Sequence, residues 1–218
     1  MNLDQARFNM VEQQVRPWDV LDPKVLDVME NVPRELFVPR AHAKLAYADL
    51  EIPLGQGESM MRPTVEGRLL QALDIQPRDV ILEIGTGSGY LTACLARLGG
   101  RVDSIDIHKT FTRAAKKHLD KAGITHVHLE TGNAAEGWTG QRGHYDVIAV
   151  TASMARYRDC FERQLSPGGR LFVVVGEAPV MEAMLVTRQG ENEFTRHTLF
   201  ETSLKPLTGF EPRPQFIF

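Results

Sequence analysis

The sequence predicts an α/β protein with a mostly parallel sheet, and three observations carry that prediction. From Val80 onward, short apolar runs alternate with amphipathic stretches of helical period. Such alternation implies βαβ crossovers, which join parallel strands and place helices on both sheet faces. The rhythm breaks at the end. There, residues 184–187 and 194–200 flank Arg188-Gln189-Gly190-Glu191-Asn192-Glu193, the pattern of an antiparallel hairpin around a glycine-containing turn.

The elements follow in order. Residues 3–15 carry apolar side chains at helical spacing, and Arg16-Pro17 ends that helix. Asp22-Pro23 reads as an N-cap followed by proline in the first turn of a helix through Val25, Leu26 and Met29. Residues 49–61 hold glycines and a proline and read as an extended loop. Pro63 opens a helix whose buried face includes Val65, Leu69, Leu70 and Leu73.

The character of the chain changes at Gln76-Pro77-Arg78-Asp79. Residues 1–76 are read as an N-terminal helical cap with a loop, and residues 77–218 as the core, together one structural unit. Within the core, residues 80–84, 101–106, 126–130, 145–151 and 170–175 read as strands. Residues 90–98, 109–122 and 156–165 read as helices, Gly123 closing the second of them. The Pro212-Arg213-Pro214 tail reads as irregular.

Composition bounds the function. A chain of 218 residues suits one substantial α/β domain with a small appendage. A formal charge of −3 gives no electrostatic reason to expect a nucleic-acid binder. The N-terminus lacks a basic segment followed by an apolar stretch, and no apolar run approaches the roughly 20 residues of a membrane helix. Cys94 and Cys160 lie far apart in unlike contexts, which argues against disulfides and cysteine-based zinc sites and for the cytoplasm.

The chemistry centres on Glu83-Ile84-Gly85-Thr86-Gly87-Ser88-Gly89, directly after an apolar strand. In open α/β sheets ligands sit beyond the carboxyl ends of the strands, where strand order reverses. Glycines there let a ligand approach the main chain, and Glu83 adds an acceptor. A dinucleotide fingerprint wants Gly-x-Gly-x-x-Gly. Here the last glycine falls one residue early, and Tyr90 stands where that pattern needs Gly or Ala.

S-Adenosylmethionine has no pyrophosphate and does not require that helix start to be clear. Asp106 ends the next strand about twenty residues on, where a carboxylate can accept from both ribose hydroxyls. The competing role for Asp106 is a helix N-cap. Gly132-Asn133-Ala134 follows the third strand, placed to read an adenine edge or simply to turn the chain.

With these residues in hand, the chain resembles the protein-L-isoaspartate O-methyltransferases over almost its whole length. The matching stretches are Val32-Pro33-Arg34-Glu35-Leu36-Phe37-Val38-Pro39, Ala46-Tyr47-Ala48-Asp49 and Ile52-Pro53-Leu54-Gly55-Gln56-Gly57. They continue through the glycine turn to Tyr90, then Val150-Thr151-Ala152, and Gln164-Leu165-Ser166-Pro167-Gly168-Gly169-Arg170-Leu171.

The resemblance implies a Rossmann-like, seven-stranded methyltransferase sheet. It also implies carboxyl methylation of L-isoaspartyl residues in damaged proteins, with S-adenosylmethionine as donor. The implied cofactor residues are Glu83, Gly85, Thr86, Gly87, Ser88, Gly89, Asp106, Asn133, Ala134 and Thr151, with Ser59, Met60 and Met61 in the active-site loop. Two positions depart from the family. Its Gly-x-Gly-Gln-Thr-Ile-Ser-Gln-Pro run aligns with residues 55–63, so Met61 occupies the place of a serine. Gly132-Asn133 replaces a Gly-Asp pair.

Methyl transfer from a sulfonium to a carboxylate needs alignment and removal of water rather than a base, because the acceptor is ionised at neutral pH. No conventional acid–base set is therefore expected, and no metal. Met61 leaves two further readings open: a relative acting on a different acceptor, and a non-catalytic binder of adenosyl ligands. His126 and His128 share a strand face but lack a third ligand and read as solvated. Lys116-Lys117 reads as a wet helix face, Met60-Met61 equally as apolar packing, and Cys94 as an inert core thiol.

Overall fold

The computed structural model describes residues 2–138, 140 and 142–212. Its centre is a seven-stranded sheet built from β3 (Val80–Ile84), β4 (Arg101–Asp106), β5 (Val127–Thr131), β6 (Tyr145–Met154), β7 (Leu165–Glu177), β8 (Val180–Arg188) and β9 (Phe194–Thr202). The order across the sheet is β5-β4-β3-β6-β7-β8-β9. Pairings from β5 through β7 are parallel, and β8 and β9 each add antiparallel. Strand order reverses between β3 and β6, which puts the β3 turn at the crevice where such sheets bind ligands.

The cap supplies α1 (Leu3–Asn9), which continues as a wider π-helical turn over Met10–Val15, and α2 (Pro23–Asn31). Asp22 caps α2 through its side chain and Pro23 occupies the first turn. A two-stranded hairpin, β1 (Ile52–Gly55) and β2 (Glu58–Met60), forms within the stretch read from sequence as a loop. Its Gln56-Gly57 turn has positive φ at both residues, as mirror-image hairpin turns require.

Next come α3 (Pro63–Leu73), α4 (Tyr90–Leu98) and α5 (Lys109–Lys121). The predicted buried face of α3 is buried: Val65, Leu69, Leu70 and Leu73 all join the core.

Strand period two sorts β3 between two apolar clusters, Ile81 to one face and Leu82 and Ile84 to the other. The Ile81 face packs against helical residues from Met10 to Leu119, so the cap and the sheet share one hydrophobic cluster. The other face is covered by irregular chain carrying Ala134, Ala135, Phe161 and Phe210.

Helices on both faces and a helix over 156–165 are therefore corrected. Only a single tight turn, Glu162–Gln164, forms there. Two interactions displace the helix. β6 runs on to Met154, its Ser153 main chain bonding Lys205 and Leu207. Glu162 is buried and accepts from Arg196 of β9 at 2.6 and 2.7 Å and from Tyr157, so tertiary partners rather than a helical ladder fix this short segment. Of the tail, Arg213 and Pro214 lie outside the described residues.

Candidate active site

The glycine turn leaves β3 and enters α4 with Gly85, Gly87 and Gly89 all at positive φ. They do different jobs. Gly85 lies against the Thr151 side chain with no room for a Cβ, and Thr151 Oγ1 lies 2.9 Å from the Gly85 carbonyl and 3.0 Å from that of Ile84. A Cβ on Gly89 would stand 2.9 Å from Ala115 Cβ, so that glycine lets α4 approach α5. A Cβ on Gly87 would meet only the flexible tip of Leu54, whose Cδ1 lies 3.3 Å from where a methyl group would stand. Its amide donates to Asp106 Oδ2 at 2.8 Å.

Asp106 sits at the end of β4, nearly buried, and its other oxygen accepts from the His108 amide at 2.8 Å. It braces two backbone amides rather than capping α5 itself. Burial pushes its carboxyl up, and the Gly87 and His108 amides pull it back down. A carboxylate has roughly four lone-pair sites, so two remain for a ligand.

A cavity opens beside this carboxylate. Gly85, Gly87, Asp106, Asn133, Ala134 and Thr151 line it, so one wall gathers residues from four strand ends. Asn133 Oδ1 accepts from the Ala135 amide at 2.9 Å, which holds the turn and leaves the side-chain NH2 to donate. Ile107 and Phe111 add apolar surface.

Pro206, Leu207 and Thr208 also line this cavity. Sequence reasoning missed these three. They lie in irregular chain after β9, and the bond from the Leu207 amide to the Ser153 carbonyl at 2.8 Å brings them to the site. No local pattern announces such a contact.

A second cavity continues from the first through Leu54, Ser59, Gly85, Gly87 and Thr151. Met60, Met61, Glu66, Thr86 and Ser88 also line it. The expected loop residues Ser59, Met60 and Met61 are thus next to the glycine turn. Met61 is also pinned, its carbonyl accepting from Arg34 Nη2 at 2.7 Å. Glu58 reaches Lys205 and lies 3.8 Å from His108, which ties the β1–β2 hairpin down over the site.

Glu83 is a correction. Its side chain lines neither cavity. Alternation turns it to the Ile81 side of β3, where it lies fully buried beneath α4 and accepts from Thr92 at 2.5 Å and Ser104 at 2.6 Å. Burial pushes its carboxyl up to about 8, opposed by those two hydroxyls, and its second oxygen has no partner. It supports the turn from below. Gly89 likewise lines neither cavity.

The flat readings sit where their chemistry is ordinary. His126 Nε2 is 2.6 Å from the Ala96 carbonyl and His128 Nε2 is 2.9 Å from Glu130. Cys94 is fully buried and its thiol is pushed up by burial. Lys116 and Lys117 are exposed.

A parallel sheet completed by two antiparallel strands, with a glycine turn and an acidic strand end opening on one cavity, defines the Rossmann-like methyltransferase fold class. Comparison narrows this to a family. The family model of protein-L-isoaspartate(D-aspartate) O-methyltransferase matches residues 6–211. The protein-L-isoaspartate O-methyltransferase 2 of Marinobacter nauticus is 35% identical over 98% of this chain and 97% of its own. The protein-L-isoaspartate O-methyltransferase of Trichlorobacter lovleyi is 34% identical over 96% of each chain.

A Plasmodium falciparum structure named for the same activity, in complex with S-adenosyl-L-homocysteine, superposes with a TM-score of 0.78. It covers 92% of this chain and 97% of its own at 18% identity, a likeness of fold. The chain belongs to the protein-L-isoaspartate O-methyltransferase family.

Proposed function

We propose that this protein transfers the methyl group of S-adenosylmethionine to the carboxylate of L-isoaspartyl residues in damaged proteins. Family membership supports the activity. The observation that carries the residue assignment is the continuity of the two cavities through Gly87 and Thr151, which leads from the space beside Asp106 to the one beneath Met60 and Met61.

The residues fit the cofactor. Asp106 offers acceptors for the ribose hydroxyls, Asn133 a donor and Ala134 a close backbone for the adenine, and Ile107 and Phe111 apolar cover. Gly85, Gly87, Thr86, Ser88 and Thr151 shape the passage to the acceptor side. The bound cofactor supplies an electrophilic methyl on a sulfonium. The protein orients the carboxylate and excludes water. Leu54, Met60, Met61 and Leu91 give the acceptor cavity an apolar wall, which removes water from one side of the reacting oxygen.

Among the described residues no helix is long and apolar enough to cross a membrane. Cys94 and Cys160 are both free, which fits a reducing compartment, and we assign the cytoplasm. The partners are isoaspartyl proteins or peptides, with no nucleic acid and no membrane.

The test uses labelled cofactor with an isoaspartyl peptide and its normal aspartyl counterpart. Label should enter the first alone, as a base-labile ester that releases methanol. Met61→Ser, which adds a hydroxyl in the acceptor cavity, should raise transfer. No transfer by either protein, despite binding of S-adenosylhomocysteine, sinks the isoaspartyl reading and leaves a different acceptor or a regulatory role.

A further inference from the structure

Glu66 is the only titratable side chain lining the acceptor-side cavity among the described residues. It stands in the first turn of α3, 2% exposed, and forms an ion pair with fully buried Arg34. Arg34 also donates to the Met61 carbonyl and stacks 4.5 Å from the Tyr90 ring centroid. One guanidinium thus fixes both Glu66 and the backbone of the loop over the site.

Most other polar groups of the cavity are committed. Thr86 pairs with Ser104 at 2.6 Å, Thr151 donates to the carbonyls of the glycine turn, and Ser88 Oγ accepts from the Tyr90 amide at 3.2 Å. Met60 and Met61 have no proton to donate.

We propose that Glu66 is the acceptor-binding acid of this site: carrying a proton, it donates a hydrogen bond to the carboxylate of the methyl acceptor, while Arg34 acts as its positioning residue. This rests on the carboxyl-acceptor reading above. Two carboxylates in contact, one of them on a buried side chain, do not both stay ionised, and the pair holds a proton between them.

The surroundings are set for that. Burial pushes Glu66 up, Arg34 pulls it down and Asp49 pushes it up, and together they leave it raised to about 7. Glu83, Tyr90 and Cys94 also face it, and all three are held toward their neutral forms by burial. Arg34 is the one cation among these groups. An arriving carboxylate raises Glu66 further, so acceptor binding takes up a proton. In the transfer the S–CH3 bond breaks, an O–CH3 bond forms on the acceptor, and the shared proton remains on Glu66. The ester is neutral, and that proton returns to solvent as product leaves.

The test is kcat/KM for the isoaspartyl peptide from about pH 6 to about pH 9, for wild type and Glu66→Gln. Wild-type kcat/KM should fall about tenfold per pH unit on the alkaline side. Gln keeps an acceptor for Arg34 and a donor that does not titrate, so its profile should be flat and should exceed wild type by about tenfold or more at the alkaline end. Calorimetry of peptide binding to the wild-type complex with S-adenosylhomocysteine, in buffers of different ionisation enthalpy near pH 8, should show proton uptake.

An active wild type without the alkaline decline, a Gln variant that shares the decline, or peptide binding without proton uptake overturns this inference alone. A wild type that binds S-adenosylhomocysteine and methylates no isoaspartyl peptide at any pH overturns the acceptor reading with it.

Discussion

The Gly87 amide donates to Asp106 Oδ2 at 2.8 Å, so the carboxylate that faces the cavity also holds the turn that shapes it. The two residues are 19 positions apart along the chain and meet because β3 and β4 pair in parallel register. The same bond keeps Asp106 aimed at the cavity before any ligand arrives, which lowers the ordering cost of binding.

Replacing Asp106 should therefore cost affinity for the cofactor product. A hydrogen bond to a charged group is worth about 1.5–3 kcal/mol, so Asp106→Ala should weaken S-adenosylhomocysteine by about one to two decades. Asp106→Asn, which keeps one acceptor, should fall between. Isothermal calorimetry reads both. Unchanged affinity in a folded Asp106→Ala protein would remove Asp106 from the cofactor site.

Gly87 and Gly89 should separate binding from stability. Gly89→Ala sets a methyl 2.9 Å from Ala115, between two packed helices, and should lower Tm while the cavity lining is left alone. Gly87→Val meets only the flexible Leu54 tip at 3.3 Å but intrudes on the cavity, with about 1–2 kcal/mol of left-handed backbone strain. Its main effect should be on affinity. Thermal melts beside calorimetry decide the matter, and a Gly87→Val protein with full affinity would place the ligand elsewhere.

Glu83 should make the fold sensitive to alkali. Its folded carboxyl is raised to about 8 by burial, so the folded state holds a proton that the unfolded chain has already lost. That stability is fully present below the ordinary glutamate range and is lost as pH rises through about 8. Glu83→Gln, which keeps an acceptor for Thr92 and Ser104 and cannot ionise, should have a higher Tm than wild type at alkaline pH, the gap closing toward pH 5. Parallel melts across that window would count against a neutral Glu83.

Much of this fold is legible because its signals are local. Val80–Ile84, Tyr90–Leu98 and Arg101–Asp106 have the same bounds in sequence and structure, and α2 begins at the expected Asp22 cap. Apolar period and capping chemistry act within a few residues, so a single chain displays them. The cavity-facing positions of Asp106, Asn133, Ala134 and Thr151 follow from the same rule, since strand ends in an open parallel sheet converge on its crevice.

Sequence by itself thus determined the strand and helix alternation, the antiparallel ending and the glycine turn with its acidic partner. Tertiary structure decided the rest. It turned Glu83 beneath α4, replaced the helix over 156–165 by a turn tied to Arg196, and brought residues 206–208 to the cavity wall. It also joined Arg34 to Glu66 across 32 positions. These outcomes depend on which distant pieces meet. A buried carboxylate takes its orientation and proton affinity from whatever surrounds it, and a residue's immediate neighbours in the chain do not report those surroundings.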